Sequence, residues 1–337
     1  MTEAKPALSI IITSHTTERL EDISKLLDSL RTQSCPGVEI VFVADQSSEL
    51  AVKVQEYASL ISLPIRVLLN QGEAGVNVCR NIGIMASHSE VLGLVDDDTI
   101  LFPDWAEEMM RSYRQDPEVV GVTGPALPLW EDEAMSWFPR EFYWMWGGTV
   151  WDWNKIREIR NVGGMNCSFK RGVLLKVGLY QPNLGPKGGE EKIEWFRPSG
   201  EEVELSLRIR KYMPAAKIIY NPEVRVYHRV YRSRFTWSFM MKRAFRFGYT
   251  KRYVERLFND DFKDKTVLDL EREHLRHILL RMPPALAREF VRAPFDAWRK
   301  FAVALIGTVF TGLGYLAYFV RPVPEQRIGE LGNECGK

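Results

Sequence analysis

The sequence predicts an α/β protein: a doubly wound, mostly parallel sheet, followed by a basic amphipathic helical region and a C-terminal membrane segment. Three observations carry this. Short apolar runs alternate with helix-period stretches through about the first 120 residues, the pattern of right-handed βαβ crossovers. Those runs are apolar almost without interruption, as strands covered on both faces are. Residues 301–320 are twenty positions without a charge, long enough for a bilayer core.

Residues 8–13 read as the first strand. Residues 20–33 carry Leu20, Ile23, Leu26, Leu27 and Leu30 at helical spacing. A second strand, 38–44, ends at Asp45-Gln46-Ser47-Ser48. Helix 50–62, strand 65–69, helix 75–87 and strand 91–95 follow. The last of these closes on Asp96-Asp97-Asp98, and a turn with Pro103 leads into helix 105–115. Beyond 119–123 the chain becomes irregular and aromatic, with Trp130, Trp137, Phe138, Phe142, Tyr143, Trp144, Trp146, Trp151 and Trp153. Such density fits a satellite core, a sugar-stacking wall or a membrane-facing surface. Then come helix 172–177, a Gly-rich loop 183–200, a helix from 201 to 211, and short strands at 217–221 and 224–228. Residues 234–258 form a basic, aromatic helix whose polar side is cationic. It suits an anionic leaflet, or else is a solvated helix packed on the preceding domain.

The 337 residues carry a net charge of +1, so no global signal points to nucleic acid. From Arg225 to Arg256, however, there are ten Lys/Arg and one acid, Glu255. Cys35, Cys79, Cys167 and Cys335 show no C-x-x-C, so neither a zinc site nor a disulfide framework is expected. The polar start, 1–6, runs straight into a strand, and no signal peptide is expected. Gly307, Gly312 and Gly314 leave the apolar segment free to span or to re-enter. Basic residues before it outnumber those after it, which puts the N-terminal part on the cytoplasmic side of a cell membrane.

The aspartate triplet is the best pointer to chemistry. Adjacent carboxylates at a strand end repel unless a cation sits among them. Hard oxygen ligands at the carboxyl edge of an α/β sheet suit Mg²⁺ or Mn²⁺ with a phosphorylated ligand. Helix capping by Asp98 is the alternative. No Walker A loop, G-x-G-x-x-G or G-x-S-x-G is present. Asp45 closes strand two, so it can face the same crevice as the triplet, and a late helix opens on Gly200-Glu201-Glu202-Val203-Glu204.

In this order the motifs resemble the family 2 glycosyltransferases of GT-A fold, over about residues 8–232. Thr13-Ser14-His15 stands at the nucleotide-side strand end. Asp45 matches the aspartate that pairs with uracil in the donor. The segment from Asn70 through Arg80-Asn81-Ile82-Gly83 resembles N-x-G-x-x-x-A-R-N-x-G, whose arginine lies near the nucleotide. Asp96-Asp97-Asp98 matches the D-x-D element. The resemblance puts Asp96 towards the ribose and Asp98 on the metal-diphosphate, with Asp97 a further donor contact. Gly163-Gly164-Met165-Asn166-Cys167-Ser168-Phe169-Lys170-Arg171 resembles the segment lining the sugar site, with Gly164 and Asn166 on it. Glu201-Glu202 stands at the E-D motif, implying Glu201 beside the acceptor and Glu202 as catalytic base. His228 matches a histidine that completes the metal site in several members.

The chain departs from the family pattern at Ala44-Asp45-Gln46-Ser47, which loosens the inference of uracil. It also has Glu202 where aspartate is commoner, and it lacks Q-x-x-R-W, which favours addition of a single sugar. Within the family the look is that of membrane-associated enzymes of lipid-linked oligosaccharide assembly. The resemblance implies a Mg²⁺- or Mn²⁺-dependent, inverting enzyme with a UDP-linked donor and a hydroxyl acceptor on a lipid-linked saccharide. It implies a glycosyltransferase domain over 1–232 (nucleotide half 1–120, acceptor half 121–232), then the basic region 233–300, the membrane segment 301–320 and a tail 321–337. A mobile loop around 187–191 would close over the donor. The alternatives are a polyprenyl-phosphate sugar synthase, a nucleotidyltransferase and a non-catalytic membrane-associated binding protein.

Overall fold

The computed structural model describes residues 6–149, 153–185, 194–262 and 267–323. Strands β1 (Leu8–Ser14), β2 (Val38–Asp45), β3 (Arg66–Asn70) and β4 (Val91–Asp96) are parallel and lie in the order β3-β2-β1-β4. Helices α1 (Leu20–Arg31), α2 (Ser48–Leu60) and α3 (Val76–Ala86) connect them. Alternate side chains of each strand enter cores on opposite faces: Ile10, Ile12, Phe42 and Val95 on one, Ile11, Leu92 and Leu94 on the other. The chain moves outward from β1 to β3 and then returns to β4. The switch point therefore falls between β1 and β4, where a crevice opens beyond the strand ends.

Two later insertions shape that crevice. After β5 (Thr99–Leu101), α4 (Trp105–Gln115), β6 (Val119–Thr123), β7 (Ala126–Trp130) and β8 (Arg157–Glu158), strand β9 (Asn166–Lys170) runs antiparallel between β4 and β6. Its N-terminal end, with residues 163–165 before it, is thereby carried to the carboxyl ends of β4 and β6. α5 (Arg171–Val177), α6 (Glu201–Tyr212) and β10 (Lys217–Tyr220) complete an eight-stranded sheet, β3-β2-β1-β4-β9-β6-β10-β8. β11 (Val226–Val230) joins β5 and β7 in a small second sheet. Between the triplet and the turn at Pro103 the chain adds a short strand, β5, because residues 99–101 pair with β11 before helix α4 begins.

The C-terminal helices are α7 (Trp237–Phe258), α8 (Asp269–Leu280), α9 (Met282–Arg292) and α10 (Pro294–Val320). The aromatic stretch is core: Phe138, Phe142 and Trp146 pack with Met240, Ala244 and Val303. α7 and α10 run parallel, with Gly248 against Thr311, Gly314 against Phe245 and Tyr249 against Tyr318. At both glycines a Cβ would overlap the other helix's backbone, so only glycine permits this approach.

Two expectations change here. α10 starts at Pro294 and is one unbroken helix, so the glycines do not make a re-entrant hairpin. Among the described residues it is the one helix long and apolar enough to cross a membrane. The cationic side of α7 is turned partly inward, since Arg246 and Lys251 are buried where α7 meets α8 and α10. Val303, Gly307, Gly314 and Tyr318 of α10 are buried, whereas Phe301, Leu305, Val309, Leu313, Leu316 and Val320 form an exposed apolar stripe.

Candidate functional site

The strand ends assemble the acids. Thr13 lies opposite Asp96 across the β1–β4 pair. Asp45, at the end of β2, accepts hydrogen bonds from Asn70 Nδ2 (2.7 Å) and from the Gly75 amide (2.9 Å) at the start of α3. Gln46 after it sits at φ +56°, a strained backbone for a residue with a Cβ. Its amide is held by the Asn70 carbonyl (2.9 Å) and its side chain by the Gly72 carbonyl (2.7 Å). The β5–β11 register pairs His228 with Thr99, and the Arg229 amide donates to the Asp98 carbonyl (3.0 Å). That pairing brings His228 Nε2 to 3.2 Å from Asp98 Oδ1.

Ligand atoms of Asp96, Asp98 and His228 all lie within 4.8 Å of one another. Two carboxylates and an imidazole suit a divalent cation of the Mg²⁺ or Mn²⁺ type, with the nitrogen favouring Mn²⁺. The charges around them are unequal. Burial opposes ionisation of Asp98, but His228, Arg19 and Arg234 hold its carboxyl far below the usual range. Burial instead raises Asp96, against Arg80, and raises Asp97, against Arg19. Of the three, Asp98 alone is held below its ordinary value, and it is the one that faces the imidazole.

Arg80 on α3 joins this cluster to α6. Its guanidinium reaches Glu202 (2.9 Å), Asp96 (3.3 Å) and Glu201 (3.5 Å), and stacks over Tyr180. Glu202 presses against Gly164, where a Cβ would overlap its carboxylate. Burial first and Glu201 second push the Glu202 carboxyl up to about 7, with Arg80 opposing. Arg80, Asp96, Asp98, His228, Gly164, Glu201 and Glu202 line one cavity of about 850 Å³.

The family model described as "Glycosyl transferase family 2" matches residues 9–174, the span that contains Asp45, Arg80 and the triplet. Residues 9–174 are a glycosyl transferase family 2 domain. This glycosyltransferase is 28% identical over 317 residues to the glucosyl-dolichyl phosphate glucuronosyltransferase of Haloferax volcanii, covering 94% of this chain and 97% of that one. It is 24% identical over 239 residues to the succinoglycan biosynthesis protein ExoM of Rhizobium meliloti, covering 69% and 71%. The mannosyltransferase PcManGT from Pyrobaculum calidifontis, solved with GDP-Man and Mn²⁺, shares the fold at TM-score 0.54 and 16% identity, over 94% of this chain and 86% of that one. GalNAc-T7, solved with UDP, GalNAc and Mn²⁺, shares it at TM-score 0.54 and 17% identity, over 83% and 59%.

In this glycosyltransferase Thr13, Asp45, Arg80, Asp96, Asp97, Asp98, Gly164, Glu201, Glu202 and His228 all line the cavity. Asn166 does not. It is fully buried; its carbonyl accepts from Trp105 Nε1 (2.8 Å) and its amide donates to the Val224 carbonyl (2.7 Å). A side chain so occupied holds β9, α4 and the approach to β11 together, and the sugar-side contact expected of it is corrected to a scaffold role. Asp97 pairs with Arg19 (2.5 Å), which also reaches Asp98 (3.2 Å). Arg19 was not singled out by the sequence, because it lies on the loop after β1 with no motif around it. Trp144 was expected only as one of many aromatics, yet it stacks on Phe247 (4.2 Å) in the cavity wall. The loop expected around 187–191 lies outside the described residues, as do Trp151 and Cys335.

Proposed function

We propose that the enzyme is a metal-dependent, inverting glycosyltransferase that moves one sugar from a nucleotide-diphosphate donor, UDP-linked, to a hydroxyl of a lipid-linked saccharide. The observation that carries this reading is Glu202. A largely buried carboxylate with a raised pKa shares a cavity with the Asp96–Asp98–His228 cluster, and Arg80 spans the two. A divalent cation bound there would neutralise charge on the donor's diphosphate. Asp98 and His228, with Asp96, are the residues that would hold it. Asp45 and Thr13 sit where the nucleotide would lie. Glu202 accepts the proton of the attacking hydroxyl as the oxygen approaches the anomeric carbon from the face opposite the leaving group. Arg80 keeps Glu202 and Asp96 in fixed relation, so base and donor site move as one unit.

A base is needed for a hydroxyl acceptor but not for a phosphate, which arrives ionised. This favours hydroxyl transfer over synthesis of a polyprenyl-phosphate sugar. The relative from Haloferax volcanii, a glucosyl-dolichyl phosphate glucuronosyltransferase, matches over nearly the whole chain, which supports a lipid-linked acceptor. The exposed stripe of α10 supports membrane association. The Lys/Arg balance on either side supports a cytoplasmic catalytic domain within the division 1–232, 233–300, 301–320 and 321–337.

The test is a panel of nucleotide sugars with Mn²⁺, read as thermal stabilisation, followed by transfer assays. UDP-sugars should raise the melting temperature in the presence of metal. Asp98→Asn should reduce that shift, while Glu202→Gln should keep it and lose turnover by about 10²–10⁴-fold. Turnover retained by Glu202→Gln would instead support phosphate transfer, and stabilisation by no nucleotide sugar would overturn the reading.

A further inference from the structure

Exposed large apolar side chains gather where α8, α9 and α10 meet. Leu279, Leu280, Phe290, Val291, Phe295 and Trp298 fall at the end of α8, along α9 and at the start of α10. Trp298 stacks on Phe301 (5.7 Å between rings), so this patch runs on into the apolar stripe of α10. Of the 11 residues of α9 only Met282 is buried. A helix so short is marginal in water unless a surface covers its apolar side, and the protein leaves Phe290 and Val291 uncovered.

Charge on this face is equally uneven. Residues 273–300 hold six Lys/Arg and three acids. Two of the acids are engaged, Glu289 by Lys300 (2.6 Å) and Asp296 by Arg299 (3.3 Å). Arg276, Arg281, Arg288 and Arg292 are exposed and form no ion pair among the described residues, and Glu273 is the one acid of the stretch left to set against them. Arg281, Arg288 and Arg292 stand seven and four residues apart, about two turns and one turn, so they share one stripe of α9. Phe290 lies on the opposite side of the helix, with Val291 between. A cationic stripe beside exposed apolar side chains, with a tryptophan at its end, is the chemistry of a helix lying in the surface of a bilayer.

We propose that α9, with the α8–α9 junction and the start of α10, lies in the headgroup layer of an anionic phospholipid bilayer. The exposed apolar side chains enter the acyl boundary, and Arg281, Arg288 and Arg292 hold lipid phosphates. This rests on the membrane association read above from α10 and adds to it the chemistry of the lipid and the element that recognises it. Lipid is the occupant because the patch is continuous with a helix long and apolar enough to cross a membrane. Apolar contact alone does not distinguish one bilayer from another. Unpaired arginines do, since each adds about fivefold to partitioning near an anionic surface.

In the test the full chain is titrated with preformed vesicles of phosphatidylcholine alone and of phosphatidylcholine mixed with phosphatidylglycerol, and the bound fraction is read by flotation. Partitioning should be at least about tenfold stronger on the mixed vesicles, and the gain should fall as salt is raised. Arg281→Gln, Arg288→Gln and Arg292→Gln together should remove most of that gain while changing partitioning on pure phosphatidylcholine less than about twofold. Arg281→Lys, Arg288→Lys and Arg292→Lys together should keep it, because the charge is retained. All three side chains are exposed, so both triple variants should melt as the wild type does. A gain that survives the glutamine substitutions overturns the proposal. Equal partitioning of the wild type on the two kinds of vesicle sinks the proposal alone, and binding to neither kind sinks the membrane reading with it.

Discussion

At the scale of single residues, the environment of Glu202 departs furthest from what its sequence position suggests. As the second residue of a helix it would be an ordinary acid stabilised by the helix dipole. The fold instead buries it against Gly164, beside Glu201, and its carboxyl rises to about 7 while Arg80 restrains the rise. The sign follows from which form works. The carboxylate accepts the proton, so the fraction of active base falls as pH drops through the folded-state pKa. We expect kcat to decline about tenfold per pH unit below roughly 7 and to level off above it. An acid limb near 4.5, the ordinary glutamate value, would show that Glu202 is not the group being titrated. Asp96, Asp97 and Asp98 make the complementary point. Identical side chains in sequence become three different groups because one faces Arg80, one Arg19 and one His228.

At the scale of elements, the packing of α10 against α7 decides what α10 is. The 27-residue helix is about 40 Å long at 1.5 Å per residue, enough to span a bilayer. Yet α7, which carries Lys242, Arg243, Arg246, Lys251 and Arg252, lies along it from the Gly248–Thr311 contact to the Arg252–Phe319 contact. One flank of α10 is therefore occupied by a charged helix, and the exposed stripe is what remains for lipid. The seam depends on Gly248 and Gly314. Gly248→Leu should destabilise the α7–α10 pair by about 1–3 kcal/mol or more, because its side chain would have to displace the α10 backbone. A lowered melting temperature with faster proteolytic release of α10 is the expected result. An unchanged melting curve would mean that the seam is not closed in solution.

At the scale of the whole molecule, the cavity that holds the acids reaches α10, whose outer side carries the exposed apolar stripe. This arrangement predicts a peripheral mode of attachment, with α10 in the surface of the membrane beside the mouth of the cavity. Replacing Leu305, Val309 and Leu313 together by lysine should abolish flotation with phospholipid vesicles while leaving the fold intact, since all three are exposed. Wild-type protein released from membranes by alkaline carbonate would agree with attachment along the surface. Resistance to that extraction would favour a true span.

Much of this could be read from the chain itself. Continuous apolar runs and helical periods determined the elements of the first 120 residues, because strand and helix periods are local properties. The acids at the ends of β2 and β4 were legible for the same reason: a parallel sheet delivers its strand ends to one edge. Residues whose role depends on contacts far along the chain were not legible in this way. Nothing local places Arg19 beside Asp97, makes Asn166 a brace for Trp105, or turns Lys251 inward towards Glu271. The twenty uncharged residues fixed that α10 would be a helix seeking an apolar surrounding. Only the tertiary structure decided that α7 supplies part of that surrounding, because burial is settled by which surfaces meet and not by which residues are adjacent.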